Sequence, residues 1–365
     1  MKFRILRIVS VFLISIAFCI NAAQAVSYTI TDLGTLGGAA SVGFSINDDG
    51  ISVGYSNTLN INSHAFIYSG NNMMDIGTLS GGSSYAHGIN NSGQVVGEDR
   101  PNNGYRRAFL YDGSGMVSLG TLGGNRSIAY ALNDSANVVG YSDTADGSYH
   151  AFQYNGNSMI DLGTLGGNNS EAYGINNNGQ ITGYSNISGY DIHVKHAFIS
   201  SSGAMVDIGT LGGDTSVGNA INDNGHVVGV SEVTGNNLFH AFYFDGDSMT
   251  DLGTLAGYDR QSSAYGINNY GHVVGDSFSS TGERAAFLYD GNNMLDLCVI
   301  TDCTSFGWSG LEYAADINNN GDITGYGAVN GEMHAFIASA STVPIPAAAW
   351  LFGSSLVALI GLARR

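Results

Sequence analysis

From about residue 28 to residue 340 the chain is written in short runs where Val, Ile, Phe, Tyr and Leu alternate with small or polar residues. Each run is stopped by Gly, Asn, Asp or Ser. Period-two alternation over roughly four to eight residues predicts half-buried β-strands, and almost no stretch carries the 3.6-residue period of an amphipathic helix. The runs come in sets of four, seen in EAYGIN (171–176), QITGYS (180–185), HAFIS (196–200) and MVDIG (205–209). Asn176-Asn177-Asn178-Gly179 joins the first pair as a hairpin turn, because Asn and Gly tolerate positive φ, and Asp245-Gly246 or Asp290-Gly291 join the second pair.

The set repeats. The apolar residue before the glycine of the Asp-Leu-Gly motif recurs at Leu33, Ile76, Leu119, Leu162, Ile208, Leu252 and Leu297, at intervals of 43, 43, 43, 46, 44 and 45. Four short strands per 40 to 50 residues is the unit of a β-propeller blade. Seven Ile-Asn or Leu-Asn strands end at Asn47, Asn90, Asn133, Asn176, Asn222, Asn268 and Asn318, and seven HAF-like strands follow them. The seventh, His334 to Ile337, has no Asp-Leu-Gly strand after it, whereas Tyr28 to Gly34 is such a strand with nothing before it. These counts predict an all-β, seven-bladed β-propeller of four-stranded antiparallel blades, closed by the N-terminal strand completing the last blade so that no open edge remains. DLGTLGG, at Asp32 to Gly38 and again at Asp161 to Gly167, then reads as the joint between blades. A phosphate-binding loop would need Gly-Lys-Ser/Thr and a following helix, and neither is present.

The two ends differ from the body. Residues 1–25 hold Lys2, Arg4 and Arg7, an uncharged stretch of 13 residues from Ile8 to Ile20, and Ala23-Gln24-Ala25, the layout of a cleavable signal peptide handled by the Sec export machinery. Residues 343–365 begin Val343-Pro344-Ile345-Pro346, continue through Trp350, and close on Arg364 and Arg365 after 17 uncharged residues. That length just spans a bilayer, which predicts a C-terminal transmembrane helix with its arginines inside. The order of parts resembles the VPxPAAxW variant of PEP-CTERM sorting signals. The resemblance implies an exosortase partner in a Gram-negative cell, transient residence in the inner membrane, export to the cell surface, and a setting of exopolysaccharide and biofilm. The expected division is 1–25 signal peptide, 26–342 propeller and 343–365 sorting tail.

Composition narrows the function. All 30 acidic residues and only seven of the 12 basic ones lie in the body, an excess that repels nucleic acid. Cys298 and Cys303, five apart in an exported chain, are expected to form a disulfide. Calcium is the one cofactor the acidic turns suggest, at Asn47-Asp48-Asp49-Gly50, Asn133-Asp134 and Asn222-Asp223-Asn224-Gly225. A calcium loop needs about six oxygens, however, and these turns offer two or three side chains. The repeated histidines, His64, His150, His196, His240 and His334, sit on separate blades and read as structural hydrogen-bonders.

A single active site cannot be seven-fold, so chemistry is sought where the repeat breaks. The stretch Cys298 to Tyr313 replaces one joint and brings in Trp308, and the loops between second and third strands vary in length and content. Trp308, Tyr105, Arg106, Tyr149 and Tyr190 are the resulting candidates for a binding face, with a neutral or cation-bridged glycan as ligand. The loops would vary equally if nothing constrained them. Asp99, Asp143, Asp191, Glu232 and Glu283 form no pattern of paired acids, so no catalytic constellation is assigned. The repeat resembles the extracellular HAF-repeat family, which implies secretion and no particular reaction. The expectation is a surface or matrix binding protein, with a polysaccharide hydrolase or lyase as the alternative.

Overall fold

The structure is a computed structural model that describes residues 24–60, 62–188, 194–201, 203–235 and 238–344. It divides into a unit spanning Tyr28–Ala340 and a second one made of the chain's two ends, up to Ser27 and from Ser341. In the second unit, Ser27 Oγ and Ser341 Oγ share a hydrogen bond of 2.9 Å.

The strands form five separate four-stranded sheets and one eight-stranded sheet. Each of the five is an antiparallel meander in sequence order, led by Ser83–Ile89, Gly123–Leu132, Gly166–Ile175, Gly212–Ile221 and Gln261–Ile267. The eight-stranded sheet holds the first repeat (Gly37–Ile46 to Asn72–Asp75) and the last (Trp308–Ile317, Ile323–Val329, Glu332–Pro344), with Gln24–Asp32 on the final strand. A single parallel bridge, Ala40 to Met333, fuses the two halves. The expectation of seven separate four-stranded blades is therefore corrected: five blades stand as sheets of their own, and the terminal repeats are merged. Counting repeats assumes that each closes its own sheet, whereas here the glycine-rich start of one strand comes close enough to a neighbouring repeat to share a backbone pairing. At the seam Leu33 N donates to Ala335 O at 3.0 Å.

The expected C-terminal transmembrane helix, with the membrane-anchored localisation drawn from it, is also corrected within the described residues, which reach Pro344. No helix among the described residues is long and apolar enough to cross a membrane. Val343 and Pro344, expected to open the sorting tail, instead end the strand Glu332–Pro344, where Ser341-Thr342-Val343 continues the β-favouring pattern. Pro346, Trp350, Arg364 and Arg365 lie outside the described residues, as do residues 1–23 of the expected signal peptide.

The joint is built by side chains that the motif supplies. Asp161 Oδ1 accepts from Gly163 N at 2.7 Å, Thr164 Oγ1 donates to Gly167 O at 2.7 Å, and Gly163 takes φ of 70°, where a side chain would be strained. The same Asp clasps the HAF histidine of the neighbouring strand, as in His150 Nδ1 to Asp161 at 2.8 Å and His334 Nδ1 to Asp32 at 2.9 Å. Each HAF phenylalanine, from Phe66 to Phe336, is fully buried and with its neighbours forms the core between sheets. Cys298 and Cys303 are joined in a disulfide, behind a short helix Leu297–Ile300 whose N-terminus is capped by Asp296.

Candidate functional site: the mouth of an axial channel

In every repeat the first and second strands lose register at one shared position, and five of the seven pairs slip at a further place as well. The skipped residues are Phe44, His87, Tyr130, Tyr173, Asn219, Tyr265 and Ala315. A β-bulge re-aims the side chain it carries. The bulge leaves no room opposite: a Cβ at Gly97, Gly140 or Gly183 would stand 1.9 Å from the carbonyl oxygen of Tyr85, Ile128 or Glu171. Only glycine fits there, which explains the glycine kept in the second strand of every repeat. The seven re-aimed residues form a collar around a cavity of about 220 Å³, and a wider space of about 300 Å³ adjoins it, lined by the same collar and Tyr313.

Four collar rings touch in sequence. Phe44 to His87, His87 to Tyr130 and Tyr130 to Tyr173 have centroid separations of 5.3, 5.5 and 4.9 Å. Outside them stand Tyr55, Tyr85, Tyr141 and Tyr184 on one side and Tyr313 and Tyr326, stacked at 5.3 Å, on the other.

Three carboxylates break the repeat among these rings. Glu98, 1% exposed, pairs with Arg100 and lies 3.7 Å from His87 Nε2 and 3.5 Å from Arg106 Nη1. Burial pushes its carboxyl up, but His87 and the Arg100 guanidinium outweigh that and hold it at about 2. Glu171 accepts from Tyr184 OH at 2.8 Å, Tyr173 OH at 2.9 Å and Tyr130 OH at 3.4 Å. Desolvation raises its carboxyl despite these donors. Asp276, fully buried, pairs with Arg284, which also reaches Tyr326 OH; burial wins over that cation and lifts the carboxyl to about 6. A fourth acid, Asp316, replaces a small residue lower in the channel and accepts from Ser45 Oγ at 2.8 Å and Ile46 N at 3.1 Å; burial raises it also to about 6.

The other end of the channel is closed by side chains. The seven ring asparagines donate Nδ2 to the backbone oxygen of the next, from Asn47 to Asn90 at 3.1 Å round to Asn318 back to Asn47 at 2.9 Å. One residue on, Asp48, Asn91, Asp134, Asn177, Asp223, Asn269 and Asn319 form a second ring, each backbone N–H donating to the next Oδ1 at 2.8 to 3.0 Å. The turns considered for calcium thus spend their oxygens on one another. Among the described residues no three His, Cys, Asp or Glu side chains could hold a metal ion.

The sequence-derived candidates divide. Arg106 and Tyr149 are at the mouth, Arg106 beside Glu98 and Tyr149 OH 3.3 Å from Tyr184 OH. Tyr105 is 54% exposed on the adjoining loop, and Tyr190 lies outside the described residues. Trp308 is 3% exposed and packs edge-on to Phe336 at 5.9 Å, so it is a core residue rather than a contact surface. Glu98, Glu171 and Asp276 are not among those candidates, because they lie on strands and not on the variable loops. For two of them the signal is in the second strands: Tyr55, Glu98, Tyr141, Tyr184, Val230, Asp276 and Tyr326 occupy one repeat position, directly after the glycine that every repeat keeps, whereas Glu171 lies on a first strand at the position of Val42, Tyr85, Ile128 and Val217.

No protein-family model matches the chain, and no curated protein does. Solved structures do. The β-propeller domain of the trilobed protease from Pyrococcus furiosus, described as an open velcro topology, aligns over 86% of this chain and 99% of its own at 11% identity, TM-score 0.56. A puromycin hydrolase aligns over 85% of this chain at 11% identity, TM-score 0.57; this chain covers 54% of its length. The Aleuria aurantia lectin aligns over 87% of this chain and 96% of its own at 14% identity, TM-score 0.39. The fold is that of a β-propeller.

Proposed function

We propose that this propeller is a carbohydrate-binding protein of the HAF-repeat type, and that its ligand docks at the channel mouth. The observation carrying this reading is the contact chain of aromatic rings, Phe44, His87, Tyr130 and Tyr173, facing a cavity, with Glu171 accepting from Tyr130 and Tyr173 and Glu98 beside His87. Ring faces offer flat apolar area to the C–H face of a sugar, and carboxylate and guanidinium pairs accept from and donate to adjacent hydroxyls. A glycan array probed with the full chain, followed by calorimetric titration of the best binders, tests it. Tyr173→Ala should weaken binding about tenfold or more, whereas Asp247→Ala, on an exposed turn at the other end, should not change it. Absence of binding to every neutral and acidic glycan would overturn the proposal.

A second reading is favoured by one feature. The raised carboxyls of Glu171 and Asp276 are the kind of group that donates a proton near neutral pH, as a polysaccharide hydrolase or lyase requires. Release of reducing ends from a bound glycan, abolished by Glu171→Gln or Asp276→Asn, would establish that reading in place of simple binding.

A further inference from the structure

The protein carries a formal charge of −18, yet its cations are not scattered. Apart from the five at residues 2, 4, 7, 364 and 365, all seven Lys and Arg lie at the joint and second-to-third-loop end of the repeats, and none lies in the Asn-Gly or third-to-fourth turns. Four of the seven converge on the mouth. Arg100 lies over the Tyr85 ring at 4.1 Å, Lys195 over Tyr184 at 4.1 Å, and Arg284 over Tyr313 at 4.7 Å, with Arg106 the fourth. They face three acids, Glu98, Glu171 and Asp276, with Asp316 lower in the channel, so the mouth is close to charge balance within an acidic molecule. Such a contrast leaves an anion less repelled at this opening than over the rest of the surface.

The Glu98 cluster is where these groups are least satisfied. Among the described residues, four buried side-chain polar atoms have no hydrogen-bond partner, and three are here: His87 Nε2, Arg100 Nε and Glu98 Oε2. Buried polar atoms left unpaired are costly, and native structures hold few of them. Arg106 adds a guanidinium that is 45% exposed, with its nearest acid oxygen 3.5 Å away and Glu98 already engaged by Arg100. Arg100 Nε, and His87 Nε2 in the tautomer that carries its proton there, stand unpaired beside a half-exposed guanidinium; they suit a group that only accepts, and a carboxylate is such a group. The unpaired Glu98 oxygen suits a neighbouring hydroxyl.

Resting on the mouth as the carbohydrate site, we infer that the ligand is an acidic glycan and that Arg106, held by Glu98 next to His87, receives the carboxylate of a uronate residue. This replaces the neutral or cation-bridged glycan expected from net charge alone, because net charge averages over a molecule whose cations are gathered at one opening.

The probes are the tetramers of galacturonate, glucuronate and mannuronate, each as the free acid and as the methyl ester, titrated calorimetrically into the full chain at low and at physiological salt. The wild type should bind at least one acid about tenfold or more tightly than its ester, with the advantage shrinking as salt rises. Arg106→Gln should remove most of that advantage and Arg106→Lys should keep part of it, since an ammonium retains charge but not the fork. Tyr173→Ala should weaken acid and ester alike. Equal binding of acid and ester, or an advantage that survives Arg106→Gln in a variant melting like the wild type, overturns the anionic subsite and leaves the carbohydrate reading standing. Failure of all acids and all esters to bind, together with an empty glycan array, removes both.

Discussion

The two ends of the axial channel are made from the same strands and obey opposite rules. At the turn end every repeat supplies the same chemistry, an Asn followed by Asp or Asn, and the side chains satisfy one another in two closed rings. At the mouth the equivalent positions diverge into Phe, His, Tyr, Asn and Ala, with Glu98, Glu171 and Asp276 set among them, and four buried polar atoms lack partners. Where repeats agree the residues hold the molecule together; where they disagree the molecule has kept polar groups that its own packing does not use. Satisfied rings lower the free energy of folding, and unsatisfied clusters raise it unless a ligand completes them.

The comparison can be broken most severely at the turn end. Asn133→Ala removes the Nδ2 donor to Asn176 O and the Oδ1 acceptor for Ser135 N and Asn137 N, all near a buried site. Three lost hydrogen bonds with partners left behind should cost about 4 kcal/mol in urea unfolding, with no change in glycan affinity. A loss under about 1 kcal/mol would mean the rings do not stabilise the disc.

At the mouth the expected effect is smaller and depends on pH. A carboxyl raised from 3.8 to about 6 binds its proton more tightly folded than unfolded, so stability falls as pH rises through that window and the cost persists above it. Asp276 should contribute a loss of about 2 kcal/mol between pH 4 and pH 7. Asp276→Asn should flatten that part of the curve of unfolding free energy against pH; parallel curves for the two proteins would show that no such cost is stored there. Least disruptive is Tyr184→Phe, which removes one donor to Glu171 and the contact with Tyr149 OH. About 1 kcal/mol is expected, and an effect as large as that of Asn133→Ala would erase the distinction between the two ends.

Much of the scaffold was legible because its signals are local. An Asn-Gly turn, an Asp that caps the next glycine, and a His spaced 11 residues before that Asp each fix their own geometry, as His150 and Asp161 do. The mouth was not legible in that way. Period-two reasoning assigns neighbouring strand residues to alternating faces, but a bulge at Tyr130, opposite Gly140, breaks the alternation and turns a residue into the channel. Trp308 misled for a related reason: its rarity marked a break in the repeat, and the break serves packing against Phe336.

By itself, then, the sequence determined the strands, the turns, the joints and the pairing of Cys298 with Cys303, since each depends on residues close along the chain. The tertiary structure decided which repeats share a sheet, that Glu332–Pro344 runs on as a strand, and which side chains meet at the mouth. Those outcomes depend on how strands from distant repeats approach one another, and a hydrogen bond such as Asn318 to Asn47, 271 residues apart, has no counterpart in local pattern.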